Sequence, residues 1–170
     1  MNEIKIFCDL DGTVARFYEN RATCLEDMYG VGFFKYLNPY MSMIYSIKSL
    51  ISLGFKVYPC TACVTEHSKD EKREWLHALL PEIPEDNYIL CEVGQNKADV
   101  VKGLGFDNFA NCCLIDDYTR NLNDWTAAGG RAIKFRNELN GTNGTWSGPS
   151  IYWNSSASEI VAEVINILQN

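Results

Sequence analysis

The sequence predicts an α/β fold: a Rossmann-like three-layer sandwich with a mainly parallel sheet and a short helical cap inserted after the first strand. Two observations lead there. Short apolar runs of strand length recur along the chain, and stretches with helical spacing of apolar residues separate them. Three of those runs end at Asp9, Thr61 and Asp116. Strands alternating with helices build a parallel sheet covered on both faces. Right-handed crossovers then place the C-terminal strand ends on one edge, where ligands bind.

The elements follow in order. The first strand covers about residues 3–8, in the run Ile4-Lys5-Ile6-Phe7-Cys8. An irregular segment runs from Val14 to about Pro39, and the cap insert is placed at about residues 14–42. Met43, Ile44, Ile47, Leu50 and Ile51 mark one face of a helix that Gly54 ends. Phe55–Cys60 is the second strand and runs into Thr61. Ser68 with Glu71 reads as a capping box for a helix through Trp75 and Leu79, stopped by Pro81. Tyr88–Cys91 is a short strand. Asn96 with Asp99 can cap the helix carrying Lys97, which Gly103 or Gly105 ends. Cys112–Ile115 is the fourth strand, and a helix near Leu122–Ala128 stops at Gly129-Gly130. A strand at Ala132–Phe135 precedes a Gly-rich loop from Asn137 to Ser150. Ser156 with Glu159 caps a final helix whose Ile160, Val161, Val164, Ile165 and Leu168 face the core. The 170 residues are read as one domain with a sizeable core.

The chemistry starts at Asp9-Leu10-Asp11-Gly12-Thr13. Two carboxylates two positions apart stand at the end of a buried strand, and Gly12 lets the chain turn. Buried unpaired charge is costly, so a cation belongs there, and magnesium is the hard cation that prefers oxygen ligands. The plainer alternative is a turn after a strand.

This segment resembles the first motif of the haloacid dehalogenase (HAD) superfamily of aspartyl phosphotransferases. Three further places resemble its pattern: the strand ending in Thr61, the helix opened by Lys97, and the strand Cys112-Cys113-Leu114-Ile115 ending in Asp116-Asp117. The resemblance implies that Asp9 attacks phosphorus and that Asp11 protonates the leaving oxygen and later activates water. It implies that Thr61 and Ala62 bind phosphate, and that Lys97 neutralises the transferring charge. It also implies magnesium held by Asp9, the Asp11 carbonyl and Asp116, with Asp117 supporting the metal's water shell. Other roles stay open: a turn cap for Thr61, a solvated helix start for Lys97 with Lys102 as rival, and a helix start for Asp116-Asp117.

Within the superfamily the chain looks most similar to the small bacterial and phage relatives of the deoxyribonucleotidases. That branch also carries an aromatic-rich insert directly after the first motif. Here the insert holds Arg16, Phe17, Tyr18, Arg21, Tyr29, Phe33, Phe34, Tyr36 and Tyr40. Aromatic residues dominate small cores, so most are expected to form the cap's own core. Arg16, Phe17 and Tyr18 are the candidates to meet substrate. The insert is shorter than in that branch, which leaves the site more open.

Composition sets the remaining bounds. The formal net charge is -7, with no Lys/Arg run, which argues against a nucleic-acid polymer as partner. A small phosphorylated substrate is expected instead. No apolar stretch is long enough to span a membrane, and the start lacks a secretory pattern, so a cytoplasmic location is expected. Seven cysteines are an awkward number for a disulfide framework. Cys60-Thr61-Ala62-Cys63 reads as packing beside a phosphate loop, with a redox pair or a partial zinc site including His67 as alternatives. The Asn-Gly-Thr triplets at Asn140 and Asn143 read as a polar loop. The function readings are a magnesium-dependent phosphomonoester hydrolase acting on a nucleoside monophosphate, and the same chemistry on a sugar phosphate or a polynucleotide end. A non-catalytic phosphate-binding or Cys-based redox module is the reading of another class.

Overall fold

The computed structural model describes residues 4–17, 25–140 and 145–169. Six strands form one sheet: β1 (Lys5–Cys8), β2 (Lys56–Cys63), β3 (Ile89–Glu92), β4 (Cys112–Asp116), β5 (Arg131–Arg136) and β6 (Ser150–Tyr152). The spatial order is β3-β2-β1-β4-β5-β6, and every pairing is parallel. The helices are α1 (Met41–Ser52), α2 (Glu66–Leu79), α3 (Lys97–Gly103), α4 (Thr119–Ala127) and α5 (Ala157–Gln169). The chain builds outward from β1 to β3, then crosses to β4 on the other side. The strand order therefore reverses beside β1, where a crevice opens at the C-terminal edge.

Alternation along the strands feeds two cores. Ile6 and Cys8 of β1, with Cys113 and Ile115 of β4, pack with residues from α1, α2 and α5. Phe7 and Leu114 point the other way, onto Ala98 and Val101 of α3 and Leu122 and Trp125 of α4. Each fully buried aromatic or aliphatic side chain contributes about 1.5–3 kcal/mol, so both faces hold the sheet. Pro59 sits inside β2 without breaking it. β2 pairs with β1 up to Pro59 and with β3 from Cys60 onward, so the missing N–H falls where the strand changes partner.

Several details differ from the sequence reading. β6 is absent from the sequence reading, whose Gly-rich loop ends at Ser150; only three residues long, it has too short a pattern to announce itself, yet Ile151 is buried. The α2 capping box is Thr65 with Ser68, not Ser68 with Glu71. Helix α4 starts at Thr119, earlier than its first buried residue, Leu122. The described part of the insert holds a 3₁₀ helix at Leu25–Tyr29 and turns. Phe17, Phe33 and Phe34 pack ring against ring, with centroids 5.5, 6.3 and 4.9 Å apart, and this cluster and Tyr40 run on into the main core, while Tyr29 and Tyr36 are exposed. Tyr18, Arg21 and Asn143 lie outside the described residues.

Candidate active site

Strand β1 delivers Asp9 to the crevice, and the Asp9 N–H still donates to the Ile115 carbonyl at 2.9 Å. Past it the chain coils tightly: the N–H groups of Thr13, Val14 and Ala15 all reach the Leu10 carbonyl, at 3.2, 2.9 and 2.8 Å. Gly12 makes this turn with φ of 79°. A Cβ there would also stand 2.5 Å from Asp117 Oδ2. Glycine is needed twice, for the conformation and for the approach of Asp117.

Four of the six expected residues, from separate elements, come together: Asp9, Lys97, Asp116 and Asp117. Lys97 opens α3 behind the Asn96 cap, whose side chain accepts from Ala98 N at 2.8 Å. Its buried ammonium donates to Asp9 Oδ1 at 2.6 Å and to Asp116 Oδ2 at 2.7 Å. Lys102 instead lies over the Phe109 ring, 5.0 Å from its centroid, which separates the two candidate lysines. Asp116, at the end of β4, is fully buried and accepts from Tyr118 N at 2.8 Å and from Asn121 Nδ2 at 2.9 Å. Asp117 Oδ2 accepts from Asn137 Nδ2 at 3.1 Å, and that amide also reaches the Gly12 carbonyl at 2.9 Å. Lys134 Nζ and Asn140 Nδ2 hold the Asp117 carbonyl at 2.8 and 3.1 Å.

The carboxylates of Asp9, Asp116 and Asp117 offer oxygens within 4.8 Å of one another and could hold a metal ion. Their electrostatics agree. Burial pushes the Asp9 carboxyl up to about 7; Asp116 and Asp11 add to this, and Lys97 opposes it. Burial also pushes the Asp117 carboxyl well above the carboxylate range, aided by Asp116 and Asp9. Burial by itself disfavours the Lys97 ammonium, but Asp116 and Asp9 outweigh it and raise its pKa. The crowded oxygens exceed what one ammonium balances, and an all-oxygen donor set suits a hard divalent cation.

Asp11 stands apart from that cluster. Its Oδ2 accepts from Lys72 Nζ at 2.5 Å, while its buried Oδ1 has no hydrogen-bond partner among the described residues. Lys72 also donates to Thr61 Oγ1 at 3.1 Å and to the Ala62 carbonyl at 2.6 Å, and it lies 4.3 Å from the Phe34 ring centroid. Sequence reasoning missed Lys72, Asn121, Asn137 and Asn140. The signal for Lys72 was its place on the buried face of α2, with Ser68, Glu71, Trp75 and Leu76.

A cavity of about 250 Å³ opens over Asp9, Asp11, Lys97 and Asp117, and Phe17, Met28, Phe34, Val64 and Val93 supply its apolar wall. Of the three cap candidates, Phe17 lines it. Arg16 pairs with Glu138 at 2.6 Å and lies 5.2 Å from the Tyr40 ring centroid, away from that wall. The cysteine alternatives find no support. Cys60 and Cys63 are free thiols on one strand, where a three-residue separation points side chains to opposite faces. The cluster that could hold a metal ion among the described residues is Asp9, Asp116 and Asp117, and it includes no cysteine or histidine.

No protein-family model and no curated protein matches this sequence. Solved structures do. The D,D-heptose 1,7-bisphosphate phosphatase of Burkholderia thailandensis aligns over 96% of this chain and 99% of its own, with a TM-score of 0.67 and 10% identity. A HAD family hydrolase of Deinococcus radiodurans R1, solved with bound phosphate and sodium, aligns over 97% and 96% respectively, with a TM-score of 0.62 and 10% identity. These likenesses establish a HAD-like α/β fold. Among the described residues, no helix is long and apolar enough to cross a membrane.

Proposed function

We propose that this chain is a magnesium-dependent phosphomonoester hydrolase working through an aspartyl-phosphate on Asp9, with a nucleoside monophosphate as substrate. The observation that carries the reading is the convergence of Asp9, Asp11, Thr61, Lys97, Asp116 and Asp117 at one sheet edge. A phosphate monoester is a dianion that repels a carboxylate nucleophile. Asp9, Asp116, Asp117 and the Asp11 carbonyl would hold magnesium, which supplies charge neutralisation and orientation of the phosphate when bound.

The chain's own groups divide the remaining work. Lys97 occupies Asp9 Oδ1, which leaves Oδ2 to attack phosphorus. As that bond forms, the bond to the leaving oxygen breaks, and Asp11 gives the leaving oxygen its proton. Asp11 then takes a proton from the water that attacks phosphorus, and Asp9 leaves as a carboxylate. Ala62 lines the cavity, and Thr61, beside it in β2, would bind a phosphate oxygen through its hydroxyl. The apolar wall of Phe17, Met28 and Phe34 suits a flat leaving group such as a base. A cytoplasmic enzyme acting on a small metabolite fits this reading.

A second substrate reading, a sugar phosphate, draws on a polar cavity of about 310 Å³ beside the first, lined by Gln95, Asn96, Arg120 and Asn121 and sharing Lys97. A panel of nucleoside monophosphates, sugar phosphates, a 3′-phosphorylated oligonucleotide and p-nitrophenyl phosphate, with magnesium or chelator, separates these. Magnesium-dependent turnover with nucleotides preferred supports the proposal. No turnover of any phosphoester overturns it.

A further inference from the structure

We propose that Lys72 is a positioning residue that fixes the Asp11 carboxylate and Thr61 together for proton transfer by Asp11; this rests on the hydrolase reading above. The side chain of Lys72 is fully buried in α2, yet its ammonium reaches the catalytic loop and the end of β2 together. An ammonium has three N–H groups. Here one is spent on Asp11 Oδ2, one on Thr61 Oγ1 and one on the Ala62 carbonyl. No donor of Lys72 remains for substrate, so it acts through its partners.

Two consequences follow from the hydrogen-bond directions. A hydroxyl has one proton. Because Thr61 Oγ1 accepts from Lys72, its own O–H is left to donate to another acceptor, as a bound phosphate oxygen would be. Because Asp11 Oδ2 is held by Lys72 while Oδ1 has no partner among the described residues, Lys72 sets the orientation of the carboxylate from which Asp11 gives and takes its proton. The Phe34 ring closes over Lys72, and Glu71, its neighbour on α2, holds the backbone N–H groups of Gly32 and Phe34 at 2.6 and 3.0 Å. The lysine is thereby locked from the insert side as well.

The test compares Lys72→Met, Asp11→Asn and the double variant in the magnesium-loaded protein, on glycerol phosphate and on p-nitrophenyl phosphate. Far-UV circular dichroism first establishes that each variant is folded. A positioned acid matters for a poor leaving group and little for nitrophenolate. Lys72→Met should therefore lower kcat/KM about 100-fold on glycerol phosphate, within the range of acid–base catalysis, and by only a few-fold on p-nitrophenyl phosphate. On glycerol phosphate the double variant should be slower than Asp11→Asn alone by no more than the few-fold that Lys72→Met costs on p-nitrophenyl phosphate, the share that acts through Thr61. An equal loss on both substrates, or a further loss in the double variant by the full Lys72→Met factor, overturns the inference. If Lys72→Met does not fold, Lys72→Gln takes the same test; if neither folds, Lys72 serves folding and the inference falls. Wild-type protein inactive on every phosphoester would instead overturn the hydrolase reading itself.

Discussion

Replacing Gly12 by alanine tests how tightly the turn after β1 is bound to the acid pair. At φ of 79° an alanine sits in the left-handed region, at a cost of about 1–2 kcal/mol. Its Cβ would also lie 2.5 Å from Asp117 Oδ2 and 3.3 Å from Asn137 Nδ2. Asp117 must swing aside and lose the Asn137 amide, and a buried polar group left without its partner costs about 1–3 kcal/mol. Together the substitution should cost about 2–5 kcal/mol and, for a domain of this size, lower Tm by roughly 4–20 °C. Gly54→Ala is the control. It has a similar φ of 92°, with nothing within 4 Å of the added Cβ, so it should cost only the conformational part, about 1–2 kcal/mol. Calorimetric Tm and turnover of p-nitrophenyl phosphate read both variants. Gly12→Ala should lose stability and most activity, and Gly54→Ala should lose a few degrees and keep turnover. Equal Tm losses, or normal turnover in Gly12→Ala, would refute the close approach of Asp117 as the reason for this glycine.

Glu71→Ala removes the carboxylate that holds the backbone of Gly32 and Phe34, and urea denaturation should show a loss of about 2–4 kcal/mol, since buried bonds to a charged group are lost; a loss below about 0.5 kcal/mol, the scale of a neutral surface change, would contradict it. Phe17→Ala trims the apolar wall. Stacking on an aromatic is worth about 1–3 kcal/mol, so any kcat/KM preference for nucleoside monophosphates over glycerol phosphate, expected at about ten- to a hundred-fold, should shrink while p-nitrophenyl phosphate hydrolysis persists. An unchanged ratio would remove the nucleotide reading. Chelation should abolish turnover but leave the far-UV spectrum intact, because the two cores hold the fold without metal; unfolding on chelation would point to a structural metal.

The sheet and its helices were legible because their apolar periodicity is long or ends at distinct punctuation. β1, β2 and β4 each announce a polar terminus, and Gly54 and Gly129 stop their helices in the left-handed conformation. β6 was not legible: three residues cannot establish a period, and Gly and Ser surround it. In the site, Asp9, Lys97, Asp116 and Asp117 come together as their strand ends and helix start suggested. Lys72 was hidden because α2 is dense in charge, so a lysine there looks solvated; only its register with Trp75 and Leu76 gives it away. Glu71 was read as a helix cap because the nearer cap, Thr65, lay before the apparent helix start. Asn137 and Asn140 look like loop residues in sequence, and only the folded return of β5 toward Gly12 brings them to Asp117. Of the insert's aromatics, Phe17, Phe33 and Phe34 do cluster, but composition does not show that the cluster continues into the main core.

The central claim is that phosphorus is transferred to Asp9. Mixing the magnesium-loaded protein with substrate, quenching during turnover and reducing with borohydride converts an acyl phosphate to an alcohol at the carboxyl that carried it. Mass spectrometry of the peptide spanning residues 5–16 should then show homoserine at position 9, and Asp9→Asn should show neither the reduced product nor turnover, with its fold retained. Reduction at another carboxylate, or near-normal turnover by Asp9→Asn, would contradict the account.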